Sequence, residues 1–186
     1  MAGQKELATS AARTALEIDP CNFPSFYRHY SLLLADDNKL SEALSVAKVG
    51  VDRFPRTIFQ DVFDFRRDSL IRQLSELYVA IGQLTDPASH PEEALSYFKM
   101  ALELTPPMAD ARFGRAVCRY NQSLYTEAAT ELEDILKDQP DNLTLLTYIV
   151  NCYVGLNDIP RAKEARQRYD AADAKLKAQQ HPPNPK

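Results

Sequence analysis

The fold is decided by the stretch Glu93-Ala-Leu-Ser-Tyr-Phe-Lys-Met-Ala-Leu-Glu-Leu-Thr-Pro106. Its apolar residues fall at positions 94, 97, 98, 101, 102 and 104, which is the spacing of one broad stripe on an amphipathic helix. Proline pushes the residue before it out of the helical conformation, so Thr105-Pro106 ends this helix. The stretch therefore predicts a helix with one buried face and a defined end.

The same pattern recurs along the chain with a period of 34 residues. Ala94 recurs as Ala128 and then as Ala162, while Pro106 recurs as Pro140. The same internal spacing occurs earlier, at Ala43, Ala47 and Pro55 and at Ala8, Ala12 and Pro20. A fixed period of this length is typical of stacked helical repeats, in which each unit buries its apolar face against its neighbours.

A second helical segment lies between each pair of these closing helices, and short polar links join the two members of each pair. The predicted segments are Ser25 to Asp36, Arg66 to Thr85, Ala109 to Asn121 and Leu143 to Leu156. Links this short predict antiparallel helical hairpins. Only five glycines occur in 186 residues, which also favours long helices over a turn-rich β fold.

The unit length and residue pattern resemble the tetratricopeptide repeat, with an aromatic, a leucine–glycine pair and a tyrosine on one helix, then alanine, aromatic and proline on the next. The residues that carry the resemblance best are Tyr78, Ile81, Gly82, Ala94, Phe98, Ala101 and Pro106. The resemblance implies an all-α, right-handed α-solenoid of stacked helix-turn-helix hairpins, with about four repeats, one of them with an insertion, plus terminal helices. We expect one domain over residues 1–180 and a disordered tail over 181–186.

The sequence departs from the family pattern in three places. The helix over 109–121 carries Arg112, Arg115 and Arg119 where large apolar residues are usual; a register shifted by one would place Phe113, Ala116 and Tyr120 there. We keep the unshifted register, because it aligns Cys118 with Cys152.

An insertion of 17 residues precedes the second repeat, and its apolar residues within Arg56 to Phe65 predict packing. The helix from Glu6 to Asp19 lacks a partner, so it is either a cap or part of a longer array. The helix from Pro160 to about Ala178 is the predicted C-terminal cap.

No constellation typical of catalysis or metal binding is present in the sequence. None of His29, His90 and His181 has a carboxylate or cysteine at metal-ligand spacing, and no glycine-rich phosphate loop occurs. We predict no enzyme activity, no metal and no cofactor. Cys118 and Cys152 are expected to be buried free thiols. The acidic positions expected on solvated helix faces and caps are Asp36, Asp37, Glu127, Glu131, Glu133 and Asp134.

Net charge and the lengths of the apolar runs limit the classes of partner and the cellular compartments that are compatible with the sequence. The net charge of -4 and the pI of about 5.4 argue against nucleic-acid binding. No apolar run approaches the roughly 20 residues that a membrane-spanning helix needs, and no signal-peptide core is present. We therefore expect a cytoplasmic protein that contacts neither nucleic acid nor membrane.

The resemblance further implies that the first helix of each repeat lines a concave groove for an extended peptide or a partner helix. The residues at matching positions, which are the predicted partner-binding set, are Arg28, Gln83, Phe113, Arg115, Val117, Tyr120, Asn121, Thr147, Tyr148 and Asn151. Of the positions that grip chaperone C-terminal carboxylates in one subclass of the family, only Arg28 fits, so we expect no such clamp. The arginines at 112, 115 and 119 either cover apolar surface with their stems or form a carboxylate site, which would suit an acidic or amphipathic peptide.

Three classes of function stay open at this point. A non-catalytic scaffold for protein–protein interactions is the leading hypothesis. A structural segment of a longer solenoid, or a subunit that self-associates through its N-terminal end, is the second. A repeat protein that recognises RNA one base per unit is the third, and the acidic pI and the alanine–proline pattern argue against it.

Overall fold

The computed structural model describes residues 2–18, 24–54 and 64–180, and over these ranges it contains nine α-helices and no β-strand. The helices are α1 (Ala2–Ile18), α2 (Pro24–Asp36), α3 (Leu40–Arg53), α4 (Asp64–Leu84), α5 (Pro91–Leu104), α6 (Ala109–Asn121), α7 (Tyr125–Leu136), α8 (Leu143–Gly155) and α9 (Ile159–Gln180). The predicted all-α class is confirmed. The predictions for the side chains of Arg56 to Phe65, for Cys21 and for the tail over 181–186 lie outside the described residues.

The chain divides into two compact units, Met1–Gly114 and Arg115–Lys186. In the first unit α1 packs on α2, α2 packs on α3 and α4, α3 packs on α4, and α4 packs on α5. In the second unit α7 packs on α8, and α8 packs on α9. Each unit therefore contains hairpins that contact the next helix along the chain. The single domain expected over residues 1–180 stays a prediction.

Each predicted hairpin link contains one residue with a left-handed backbone. These residues are Asn38, Asp86, Ser123 and Asn157, with φ between 56° and 62°. In three of the links the following N–H donates back across the helix end: Lys39 to the Leu34 carbonyl, Leu124 to that of Arg119 and Asp158 to that of Tyr153, each at 2.9 Å. A bond of this type closes the last turn and reverses the chain, so each of these three links ends its helix without a proline.

The ring of Phe98 on α5 is fully buried and lies against two glycines of the first unit. A Cβ atom on Gly82 of α4 would come within 2.8 Å of the ring, and one on Gly114 of α6 within 2.3 Å. Carbon atoms do not approach so closely without displacement, so the ring occupies space that only a residue without a side chain leaves open. The repeat pattern thus places its aromatic residue where two helices come closest.

A buried carboxylate joins α7 to α6 in the second unit. Glu131 is only 7% exposed, so its predicted place on a solvated face is wrong. Nε of Arg115 donates to both of its oxygens, at 3.0 and 3.1 Å, and Nη2 of Arg115 donates to Oε1. Nη1 of Arg119 donates to Oε2 at 2.9 Å. Two guanidiniums one helical turn apart neutralise the carboxylate, and this pairing makes its burial tolerable.

The same three positions are apolar or aromatic one repeat later. Positions 34 residues after Arg115, Arg119 and Glu131 hold Ile149, Tyr153 and Ala165. Ile149 is fully buried and Ala165 is 1% exposed. The arginines and Glu131 therefore place ion-paired side chains at positions that the next repeat fills with apolar or aromatic residues.

We expect Gly114→Ala to destabilise the protein, although alanine is the better helix former by about 1 kcal/mol. The new methyl group would overlap the Phe98 ring, and overpacking of this kind costs about 1–3 kcal/mol. Chemical denaturation measures the change in free energy of unfolding. Adding Phe98→Leu removes the ring edge, so the cost of Gly114→Ala should shrink in that background. An equal cost in both backgrounds would show that the ring does not set this contact.

We expect Glu131→Ala to destabilise the second unit by about 2–4 kcal/mol, because it leaves two partly buried guanidiniums without their carboxylate. The triple variant Arg115→Ile, Arg119→Tyr, Glu131→Ala copies the next repeat and should regain most of the lost stability. Thermal unfolding of both variants checks this. A triple variant no more stable than Glu131→Ala would contradict the proposed equivalence of the two contacts.

Candidate functional site

Three tyrosines of the second unit form one cluster, which we call the tyrosine patch: Tyr120, Tyr125 and Tyr148. The ring centroids of Tyr120 and Tyr125 are 5.5 Å apart with tilted planes. The centroids of Tyr120 and Tyr148 are also 5.5 Å apart, with the rings edge to face. These are favourable aromatic geometries, and all three rings keep part of their surface in solvent. The patch is therefore a packed but accessible aromatic surface.

The positions of the three rings follow from the helix ends. Tyr120 lies in the last turn of α6, and the left-handed Ser123 reverses the chain so that Tyr125 begins α7 beside it. A Cβ atom on Gly155 at the end of α8 would come within 2.7 Å of the Tyr125 ring. The absence of a side chain at Gly155 thus lets Tyr125 lie directly on α8. Tyr125 was not predicted as a site residue; the signal in the sequence is its position immediately after the α6–α7 link.

Burial, and then the neighbouring Tyr125, raise the pKa of Tyr120 above its ordinary value. Its phenol therefore stays protonated at neutral pH and can donate a hydrogen bond. An aromatic ring with a phenolic hydroxyl offers a partner both apolar contact area and one polar contact.

One face of α8 is exposed and carries no charge. We call it the uncharged face of α8; its residues are Thr144, Thr147, Asn151 and Val154. Their spacing of three, four and three residues places them in one stripe. The opposite side of the helix is buried through Leu145, Leu146, Ile149 and Cys152. The sequence of α8 contains no charged residue at all, so the hydrogen-bonding groups of this face are hydroxyls and an amide.

The start of α8 is fixed by its own sequence. The side chain of Asn142 accepts hydrogen bonds from the N–H groups of Thr144 and Leu145, at 3.1 and 3.2 Å. This is a strong N-terminal cap. The exposed residues of α8 are thus carried on a helix that is capped at one end and buried along one side.

The predicted partner-binding residues of the second unit lie on or beside these two surfaces. Tyr120 and Tyr148 contact each other, Thr147 and Asn151 are exposed on α8, Asn121 is exposed, and Val117 is half-buried. Arg115 is different, because its guanidinium is bound to Glu131. Sequence reasoning could not find that pairing, since nothing in the spacing shows which of the acidic residues on α7 turns inward.

The predicted residues of the first unit lie elsewhere. Arg28 of α2 is half-buried, with Nη1 3.9 Å from a Glu76 oxygen, and Arg72 approaches the same carboxylate at 3.7 Å. Arg28 also borders a cleft of about 670 Å³ lined by α4 and the start of α6. Gln83 is exposed on α4, and Phe113 is half-buried with a partner of its own. The guanidinium of Arg28, predicted to bind a partner, thus lies near the Glu76 carboxylate of the same protein.

The described residues hold no group of three or more histidine, cysteine or acidic side chains that could bind a metal ion. Nδ1 of His29 lies 2.6 Å from the Ser25 carbonyl within its own helix. Cys118 and Cys152 are buried free thiols, as expected, and burial raises the pKa of Cys152 to about 11. A thiol with that pKa is protonated at neutral pH and is a poor nucleophile. No described helix has the length and apolar character needed to span a bilayer.

Comparison with known proteins identifies the repeat. Residues 88–145 match the family model of the tetratricopeptide repeat. No curated protein sequence matches the chain significantly. Among solved structures, MamA is similar with a TM-score of 0.69 and 17% identity, over 95% of this chain and 91% of that one. YrrB, described as a tetratricopeptide repeat protein with an unusual peptide-binding site, gives a TM-score of 0.50 and 16% identity, over 93% and 100% of the two chains.

A third similar structure is the human IFIT1 dimer with m7Gppp-AAAA, with a TM-score of 0.62 and 14% identity, over 85% of this chain and 35% of that one. At these identities the likeness concerns the fold alone. The nine described helices and their hairpin links form an all-α helical repeat solenoid, and residues 88–145 of it match the tetratricopeptide repeat.

Proposed function

We propose that this protein is a non-catalytic scaffold that binds another protein, holding a peptide segment or a helix of that partner against the tyrosine patch and the uncharged face of α8. The observation that carries the proposal is a half-exposed cluster of three packed tyrosines beside exposed hydroxyl and amide side chains on a capped helix.

The energetics of recognition favour such a surface. Binding energy in protein interfaces concentrates at a few anchors, among which tyrosine is enriched. A ring already packed against two others loses little conformational freedom when a partner lands on it. Asn151 can donate and accept at once, which suits the backbone of an extended segment. The partner therefore needs one apolar side chain for the tyrosine patch and a segment whose backbone N–H and C=O groups are free to bond with Asn151.

The comparisons support the class of ligand without naming it. A peptide-binding site is described for YrrB, which has the same kind of fold. Tetratricopeptide repeats commonly form scaffolds for other proteins, and the match over residues 88–145 supports that class here. The protein partner, and a cytoplasmic location without contacts to nucleic acid, remain part of this proposal.

A second candidate function is self-association through α1. Its residues Leu7, Ala11, Thr14 and Ile18 form one exposed stripe, and Leu7 and Ile18 are 73% and 79% exposed. The other side of α1 packs on the cluster around Tyr30 and Leu34. An apolar stripe on an outer helix favours contact with a second copy. Light scattering across a concentration series distinguishes this function: Leu7→Glu with Ile18→Glu should abolish any dimer, whereas a wild-type protein that is monomeric throughout would exclude it.

We expect Thr147→Ala with Asn151→Ala to remove the partner while leaving the melting temperature within about 2 °C of the wild-type value, because both side chains are exposed. Affinity capture followed by mass spectrometry compares the proteins retained by each form. Tyr169→Ala on α9, outside the patch, is the matched control and should retain the wild-type partner. Capture of nucleic acid or a metabolite with no protein would contradict the proposal.

Tyr120→Ala separates binding from packing. Since Tyr120 contacts two other rings, we expect it to lower the free energy of unfolding by about 1–2 kcal/mol and to weaken partner binding by about 1–3 kcal/mol. Denaturation and titration of the same preparation give both values. A loss of stability with unchanged affinity of the folded fraction would remove Tyr120 from the site and leave the fold assignment intact.

A further inference from the structure

We propose that the partner segment bound at this site is uncharged, with an aliphatic or aromatic anchor that contacts the tyrosine patch. This inference rests on the proposed function and specifies its ligand. It differs from the acidic or amphipathic peptide that the arginines of α6 suggested from sequence.

The arginines that favoured an acidic partner are engaged within the protein. Three of their donor groups, two from Arg115 and one from Arg119, point at Glu131. Their side chains are only 28% and 30% exposed, and Arg112 is half-buried with a partner of its own. One net positive charge remains in the cluster, spread over two largely covered guanidiniums. A carboxylate on the partner would meet only the donors that Glu131 leaves unused, on side chains that are largely covered, and half of the cluster's positive charge is already neutralised.

The uncharged face of α8 offers no counter-ion to a charged partner. Moving a carboxylate or an ammonium group out of water costs several kcal/mol unless a partner of opposite charge meets it. Thr144, Thr147 and Asn151 can donate to or accept from a charged group, but they cannot neutralise it. Backbone amides and neutral side chains are hydrogen-bonded by hydroxyls and amides at little penalty. The charge pattern of this face therefore selects against both acidic and basic segments.

An apolar edge continues from the patch. Val154 ends the uncharged face and is 57% exposed, and the next residue, Gly155, lies against the Tyr125 ring. Leu156 and Ile159, at the turn between α8 and α9, are 39% and 49% exposed. At the corresponding positions of the first hairpin link, Asp37 replaces Leu156, whereas Leu40, which is 52% exposed, matches Ile159. An aliphatic or aromatic side chain of the partner can thus cover Val154 and the adjacent ring together.

Selection of short random peptides displayed on phage tests the proposal. The full chain is the bait, and the variant Thr147→Ala with Asn151→Ala is used for counter-selection. We expect the enriched peptides to contain fewer acidic and basic residues than the starting library and to carry aliphatic or aromatic anchors. The affinity of synthetic copies should change by less than about twofold between low and high salt.

A charge-introducing variant provides the control. Asn151→Lys places a cation on the uncharged face, so selection on it should enrich acidic peptides whose binding weakens with salt. Acidic peptides that bind the wild-type chain, depend on Thr147 and Asn151 and weaken with salt would overturn the proposed partner class and leave the proposed function standing. No enrichment of the wild-type bait over the counter-selected variant would overturn both.

Discussion

A carboxylate that leaves water must be met by cations, and in the second unit this requirement fixes how the arginines of α6 are used. Glu131 lies at a position where the next repeat has Ala165, and its two oxygens are satisfied by Arg115 and Arg119. The helix pair α6–α7 is therefore held partly by ion pairs, whereas equivalent positions one repeat later are apolar or aromatic. Since loss of Glu131 leaves two partly buried guanidiniums without their carboxylate, this position restricts sequence change more than an apolar contact does.

The same pairing changes the character of the neighbouring surface. With the guanidiniums directed inward, the accessible chemistry beside them comes from aromatic rings, hydroxyls and one amide. Tyr120 takes part both in packing and in the accessible surface. Its ring contacts Tyr125 and Tyr148, and part of the residue is exposed to solvent. Residues of this kind link folding and recognition, because the contacts that hold the ring in place also preorganise it for a partner.

The sequence predicted most of the fold because the fold depends on periodicity. The bounds of α2, α4, α6 and α8 agree with the predicted segments to within two residues, since prolines, polar links and apolar stripes mark helix ends directly. The residues of the candidate site were harder to predict from the sequence. Glu131 looks like any acidic residue on an amphipathic helix, and only the position of α6 reveals which face of α7 it shares. Tyr125 depends on Gly155, thirty residues away, which no local pattern connects to it.

The left-handed residues in the hairpin links have a consequence for how such a chain can grow. At Asn38, Ser123 and Asn157 the chain reverses with hydrogen bonds between the link and the helix end before it. Each of these three hairpins therefore contains the residues that close it. Duplication, loss or exchange of a whole hairpin leaves those hydrogen bonds unchanged. The α4–α5 link departs from this plan, because it spans six residues, 85–90, where the links after α2, α6 and α8 span three. The chain is in this sense a set of interchangeable modules, whose individuality resides in side chains such as Glu131 and Tyr125 and not in the backbone that presents them.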